Sequence, residues 1–185
     1  MDFVPRIYDA YVCFHGGDGA SASSDVLNEN VTYGYVMEKL DTTLFDYLSS
    51  PSTTDLSVLK VGKQLQNCFT KLDEHLILHR DLHLKNIMVK FDASDQPKVF
   101  IIDFGNAYDR HDAETVLKYT HPLEPDSTLD FYQTYPAFKK NLMWFDMNVN
   151  LMCRQETNNV FWRNLNNLRL VVQSQNLKLV RHNTF

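Results

Sequence analysis

Apolar and polar positions in the first part of the chain predict a two-stranded sheet. The segment from Phe3 to Phe14 is rich in Val, Tyr, Ile and Phe, and the segment from Val31 to Met37 alternates between apolar and polar side chains. Both patterns are typical of β-strands. The polar segment from Gly16 to Asp25 predicts a surface loop between them. Pairing the two strands across this loop is the simplest arrangement.

The apolar period then becomes helical. Thr42 and Thr43 are suited to cap a short helix from Leu44 to Leu48. One apolar stripe predicts a longer helix that begins near Asp55 and forms the scaffold of the core. The residues of this stripe are Val58, Val61, Leu65, Cys68, Phe69, Leu72 and Leu76.

Two short strands and two further helices are predicted downstream. The apolar segments Ile87 to Val89 and Val99 to Ile102 flank a polar turn from Asp92 to Pro97, which predicts a β-hairpin. The segment from Leu142 to Cys153 is apolar on more than one face and predicts a buried helix. Phe161 to Val172 carries a single apolar stripe and predicts a helix that packs on one side.

Composition places the chain among ordinary globular proteins. Its 185 residues, 44% of them hydrophobic and 22% charged, suffice for one domain or one lobe of a larger fold. The formal net charge of −5 argues against a nucleic-acid partner, although the net charge alone does not exclude a local basic patch. No apolar segment is long enough to span a membrane, so we expect no membrane partner.

The cysteines and the first residues bear on location. Cys13, Cys68 and Cys153 are widely spaced and odd in number, and Cys68 and Cys153 lie among apolar residues. This predicts reduced, buried thiols and no disulfide framework. The segment from Met1 to Arg6 lacks the basic and then apolar run of a signal peptide. We therefore expect a cytoplasmic or nuclear protein that is not secreted.

The candidate chemistry lies in His79-Arg80-Asp81-Leu82-His83-Leu84-Lys85-Asn86 and in Asp103-Phe104-Gly105. Phosphoryl transfer from a nucleotide depends on positioning and on stabilising charge. It needs a carboxylate near the acceptor hydroxyl and oxygen ligands for divalent cations. Asp81 is suited to the first task. Asn86 and Asp103 are suited to the second, because the predicted hairpin brings its two ends together.

Together, these two motifs resemble the catalytic loop and the metal-binding motif of the protein-kinase superfamily. The resemblance implies that Asp81 is the catalytic base and that Asn86 and Asp103 bind Mg²⁺ with ATP. It also implies that Arg80 faces an activation segment. Lys85 could reach the transferred phosphate, and a solvated loop lysine is the alternative interpretation.

The resemblance extends to both sides of the motifs. It implies that His79 and Phe104 stack in a regulatory spine, and that Asp146 caps the catalytic-loop backbone from a buried helix. The segment Val36 to Leu40 is similar to the hinge that holds adenine by backbone bonds. The nucleotide-binding residues expected there are Glu38, Lys39 and Leu40.

The resemblance implies an α+β, protein-kinase-like fold with a mainly helical large lobe and a remnant of the small-lobe antiparallel sheet. Residues 1–41 would form the remnant and hinge, and residues 42–185 the large lobe. An alternative assignment takes Gly16 to Gly19 as the Gly-rich phosphate loop and Lys39 as the strand lysine. The number of residues between Lys39 and Asp81 argues against it. Too few residues separate Lys39 from Asp81 to hold another helix and two strands. We therefore expect the chain to begin after the position where most of a small lobe would end.

The substrate class is ambiguous in the sequence. Protein kinases of this resemblance usually carry lysine two positions after the catalytic aspartate, where this chain has His83. Histidine there is more typical of small-molecule and lipid-sugar kinases, whereas Arg80 favours protein kinases. A separate interpretation of His75, His79 and His83 is a zinc site on one helix face.

Three hypotheses for the function follow. The first is ATP- and Mg²⁺-dependent phosphoryl transfer to serine or threonine hydroxyls of a protein, slow in this chain alone. The second is a truncated, catalytically impaired kinase that binds another kinase or its substrate, as some compact virus-encoded kinases do. The third is a fragment of a longer gene product.

Overall fold

A computed structural model of the chain describes residues 2–14, 31–109 and 138–182, and their architecture is mixed α+β, with small antiparallel sheets and several helices. The strands are β1 Ile7–Phe14, β2 Val31–Met37, β3 Thr42–Thr43, β4 Ile77–Leu78, β5 Ile87–Phe91, β6 Pro97–Ile101 and β7 Tyr108–Asp109. The helices are α1 Leu44–Ser49, α2 Asp55–Glu74, α3 Phe138–Met152 and α4 Asn159–His182, with a 3₁₀ turn at Phe104–Asn106.

The first two strands form an antiparallel ribbon, as their patterns predict. The register pairs Ile7 with Met37 and Phe14 with Val31. The first strand begins at Ile7 and not at Phe3, because Phe3 has another role. Phe3 is buried, and its carbonyl accepts a hydrogen bond of 2.8 Å from the backbone N–H of Ile101.

A second sheet has the strand order β3-β5-β6 and contains the predicted hairpin. The Asp92 carboxylate stabilises the hairpin turn by accepting from the backbone N–H groups of Ser94 and Gln96. On the outer edge of β6, the Gln64 side chain accepts from the N–H of Val99 and donates to the carbonyl of Pro97. This edge is therefore hydrogen-bonded by side-chain and backbone groups of the chain itself.

Local capping explains where the helices begin. The Thr43 hydroxyl accepts from the N–H of Asp46 at the start of α1. Thr54 and Ser57 form a reciprocal capping box at the start of α2. That helix ends at Glu74, and His75 is its C-cap.

The core forms where α2 packs against α3 and α4 and against β6, while α1 packs against α4. Its largest fully buried side chains are Phe145, Phe161, Leu44, Leu48, Leu65, Leu72, Leu78, Leu82, Leu84, Ile87 and Ile101. Six of these eleven lie in the predicted helices, and the other five lie in β4, in the loop after it and in the hairpin strands. Each such side chain contributes about 1.5–3 kcal/mol when fully buried.

The ribbon of β1 and β2 differs from the core in exposure. Ile7 is 62% exposed and Tyr35 is 57% exposed, and Tyr8, Tyr11, Val12 and Val36 are also exposed. Within the ranges that the structure describes, no helix is long and apolar enough to cross a membrane.

The cysteines follow the same division. Cys68 and Cys153 are buried as predicted, and burial raises the pKa of the Cys68 thiol to about 12. The prediction is wrong for Cys13, which is exposed. Cys13 lies on the ribbon, outside the core that covers the other two thiols.

Candidate functional site

Asp81 and Asn86 lie in the loop between β4 and β5 and contact each other directly. The Asn86 side chain donates through Nδ2 to the Asp81 carbonyl at 3.0 Å and to its Oδ2 at 3.2 Å. The backbone N–H of Asn86 donates to the carbonyl of His83. Asn86 is buried and the Asp81 side chain is 35% exposed, so a buried amide positions an accessible carboxylate.

Asp103 is connected to the same loop by the hydrogen bonds of the residue before it, Ile102. The backbone N–H of Ile102 donates to the carbonyl of Asn86 at 3.0 Å, and the Ile102 carbonyl lies 2.8 Å from Nε2 of His79. Asp103 follows directly, is exposed and has a left-handed backbone with φ of 60°. The hairpin therefore brings the Asp103 backbone beside the loop that holds Asp81 and Asn86.

His79 is the buried link between the two motifs. Its ring lies 4.7 Å from the ring of Phe104, centroid to centroid, at an interplanar angle of 54°. The two side chains are therefore in contact but tilted, and their role in a regulatory spine stays a prediction. Burial lowers the pKa of His79 below its ordinary value, while the Ile102 carbonyl and the charges of Asp81 and Asp103 act in the opposite direction. Both carboxylates therefore lie within electrostatic reach of one imidazole.

The segment predicted to bind adenine is held by contacts within the chain. Glu38 forms an ion pair of 2.6 Å with Lys90, and its backbone N–H donates to the carbonyl of Arg6 at 2.8 Å. The Lys90 hydrogen bond holds the pKa of the Glu38 carboxyl below its ordinary value. Lys39 is exposed and Leu40 is buried. The amide and carboxylate of Glu38 are thus already engaged.

The two cationic residues of the loop point to different surroundings. Arg80 is exposed, with a left-handed backbone at φ of 65°. The activation segment that it is expected to face lies outside the described residues, as does the predicted loop from Gly16 to Asp25. Lys85 is also exposed, and its ammonium group lies 6.0 Å above the ring of Phe45 in α1.

The predicted capping role of Asp146 is wrong. Its carboxylate lies 3.7 Å from Nε of Arg169 and accepts a hydrogen bond of 3.0 Å from Gln173. Both partners belong to α4, so Asp146 connects α3 with α4 and its hydrogen bonds and ion pairs do not include the loop that holds Asp81.

Asn141, which its residue type and position do not single out in the sequence, makes the backbone contact expected of Asp146. Its Oδ1 accepts from the backbone N–H of His79 at 3.2 Å, and its Nδ2 donates to the Ile77 carbonyl and to Asp73. All of Asn141 is buried. The sequence does contain an indication of this role. Asn141 lies four residues before the apolar Phe145, on the same face of α3, and is a polar residue on that face.

The zinc interpretation does not fit the secondary structure. His75 ends α2, so His79 and His83 lie beyond that helix and the three rings share no helix face. Among the residues that the structure describes, no three His, Cys, Asp or Glu side chains form a group able to hold a metal ion. The predicted Mg²⁺ ligands are a different set, one amide and one carboxylate.

The sequence was also compared with known proteins. No protein-family model matches the chain, and no curated protein is a significant match.

Proposed function

We propose that this chain is a protein-kinase-like phosphotransferase that moves the γ-phosphoryl group of ATP to a serine or threonine hydroxyl of a protein. The observation that supports this best is the direct contact of Asp81 with Asn86 and the hydrogen bonds that join this loop to Ile102, the residue before Asp103. Two motifs that are separate in the sequence are thus hydrogen-bonded to each other. They supply the acid, the amide and the second acid that phosphoryl transfer requires.

The oxygen atoms present fit a hard divalent cation. Asn86 uses its Nδ2 for Asp81, which leaves its Oδ1 for a cation. Asp103 is exposed, and the residue before it, Ile102, is hydrogen-bonded to the backbone of Asn86. Carboxylate and amide oxygens are ligands that Mg²⁺ accepts. When bound, Mg²⁺ would neutralise charge on the phosphates, and Asp81 would accept the proton of the acceptor hydroxyl.

The nucleotide would lie between this loop and the segment of Glu38, Lys39 and Leu40. Because the Glu38 amide is bonded to Arg6, adenine would be held by other backbone groups of that segment. Lys85 and Arg80 are the cations of the loop, and Lys85 would have to leave the Phe45 ring to bind a phosphate.

We expect slow catalysis by this chain. The sequence shows no Gly-rich loop or strand lysine at the positions that the resemblance requires. Loss of one donor to transition-state charge typically lowers a rate by about 10²–10³.

The second candidate function, a binding module, is favoured by the exposed ribbon. Ile7, Tyr8, Tyr11, Tyr35 and Val36 are all exposed on two strands. Exposed apolar patches often mark protein-binding surfaces. A chain of this class would bind another kinase or its substrate without transferring phosphate.

Phosphate transfer distinguishes the two functions. We expect radiolabel from the γ-phosphate of ATP to appear on dephosphorylated casein when Mg²⁺ is present. Asp81→Asn should lower this signal at least about 100-fold while leaving the melting temperature nearly unchanged, because the amide preserves the shape of the carboxylate. Transfer that is equal in both proteins would contradict the role of Asp81. Absence of transfer from the parent chain would favour the binding module.

A further inference from the structure

The orientation of His83 is fixed by its own loop. Its Nδ1 lies 3.2 Å from the backbone nitrogens of both Lys85 and Asn86, which donate to it. A nitrogen that accepts hydrogen bonds must have a lone pair, so the neutral ring carries its proton on Nε2. His83 therefore presents an N–H donor on the side away from these two amides.

That donor lies near one particular oxygen of Asp81. Oδ2 of Asp81 accepts from Asn86, whereas Oδ1 lies 3.7 Å from Nε2 of His83. A direct N–H···O hydrogen bond has a length of about 2.7–3.2 Å. At 3.7 Å, Nε2 of His83 and Oδ1 of Asp81 are too far apart to bond directly. The two side chains are 27% and 35% exposed, so a substrate can reach both.

We propose that His83 and Asp81 together bind the hydroxyl group that receives the phosphate. A hydroxyl oxygen placed about 2.8 Å from both atoms can accept from Nε2–H of His83 and donate its own proton to Oδ1 of Asp81. A carboxylate at this position would be repelled by Asp81, and an ammonium group could not accept from His83. The pair therefore selects an alcohol, such as a serine or threonine side chain.

The inference rests on the proposed function and completes its chemical step. The bond to His83 uses one lone pair of the acceptor oxygen and leaves another to attack the γ-phosphorus. The new O–P bond forms as the bond from the γ-phosphorus to the bridging oxygen breaks, and ADP leaves with that electron pair. The hydroxyl proton passes to Oδ1 of Asp81, and His83 keeps its own proton.

Two variants separate this role from the loop contacts of His83. In His83→Asn, the amide oxygen can still accept from the backbone of Lys85 and Asn86, but no donor remains at the position of Nε2. In His83→Gln, the longer side chain can place an N–H near that position. Both variants should bind Mg²⁺·ATP as the parent chain does, measured by calorimetry at a temperature where circular dichroism shows each to be folded.

The expected result is a selective loss toward the acceptor. His83→Asn should lower kcat/KM for dephosphorylated casein about tenfold, through one lost hydrogen bond, with the KM for ATP unchanged. His83→Gln should recover most of that loss. Full transfer by His83→Asn, or no recovery by His83→Gln at equal nucleotide binding, would overturn the inference. A parent chain that binds no Mg²⁺·ATP would instead overturn the proposed function, and this inference with it.

Discussion

Asn141 shows how one buried amide positions the candidate site. It accepts from the His79 backbone and donates to Ile77 and Asp73, so a single side chain supplies both an acceptor and donors. An aspartate at this position would lack the donors, and an aliphatic residue would supply none of the bonds. The amide is therefore specifically required by these neighbours.

We expect Asn141→Leu to lower the free energy of unfolding by about 2–4 kcal/mol, since it removes the partner of several buried polar groups at once. Urea unfolding measures this change. Asn148→Leu is the matched control on the same helix, because Asn148 makes one recorded hydrogen bond, to Leu82, and should lose about 1 kcal/mol. Equal losses from the two variants would contradict the assigned role of Asn141.

His79 should make stability depend on pH. Burial lowers its pKa in the folded chain below the ordinary value of 6.5. The unfolded chain therefore binds a proton near pH 6.5 that the folded chain binds only at lower pH. The free energy of unfolding should fall as the pH drops below 6.5 and level off below the folded pKa.

Urea unfolding without metal at pH 7.5 and pH 5.5 tests this. The variant His79→Phe keeps a ring against Phe104 but has no proton to bind. Its loss of stability between the two pH values should be smaller than that of the parent chain. An equal loss would assign the pH dependence to other groups.

At the scale of elements, α2 and α4 approach each other closely at a glycine. A Cβ atom on Gly62 would lie 2.9 Å from Cβ and Cγ1 of Val171. Alanine gains up to about 1 kcal/mol over glycine in a helix, but overpacking costs about 1–3 kcal/mol. The cost of the close contact with Val171 should exceed the gain in helix propensity, so the substitution should lower the free energy of unfolding.

We therefore expect Gly62→Ala to lower the melting temperature and Val171→Ala, added to it, to restore part of the loss. Gly34→Ala is the control. The nearest atoms there belong to the end of the exposed Tyr11 ring, which can move, so the free energy of unfolding should change by less than about 0.5 kcal/mol. A more stable Gly62→Ala would show that the two helices separate without cost.

The longer elements could be predicted because their patterns are long. The stripe from Val58 to Leu72 and the cap at Thr54 determine α2, and the strands at residues 87–91 and 97–101 flank a strong turn signal. Two-residue strands such as Ile77–Leu78 depend on distant partners and leave no periodic signal. The last helix continues to His182 although its apolar stripe was expected to end at Val172.

The candidate site could be predicted only in part. Asp81, Asn86 and Asp103 stand out by residue type and order, whereas the supporting contacts depend on which way a helix faces. Asn141 and Asp146 are five residues apart, which at 3.6 residues per turn places them roughly 140° apart on α3. The residue types and positions of Asn141 and Asp146 do not show which of the two side chains faces the loop.

At the scale of the whole molecule, the two proposed functions, enzyme and binding module, depend on different parts of the chain. The enzyme needs the loop contacts among Asp81, Asn86 and Ile102, and the module needs the exposed ribbon that contains Tyr8 and Tyr35. These features lie in separate elements, so variants of one leave the other in place.

The proposed function requires Asp81, Asn86 and Asp103 to surround one divalent cation that carries ATP. Paramagnetic Mn²⁺ broadens the NMR signals of the residues nearest to it, so Mn²⁺ with a non-hydrolysable ATP analogue tests the claim most directly. We predict that the amide signals of these three residues broaden first, at substoichiometric Mn²⁺, and that Asp103→Asn weakens the effect. If the signals of these three residues broaden no earlier than those of the rest of the chain, the three side chains do not share a cation and the proposed site is wrong.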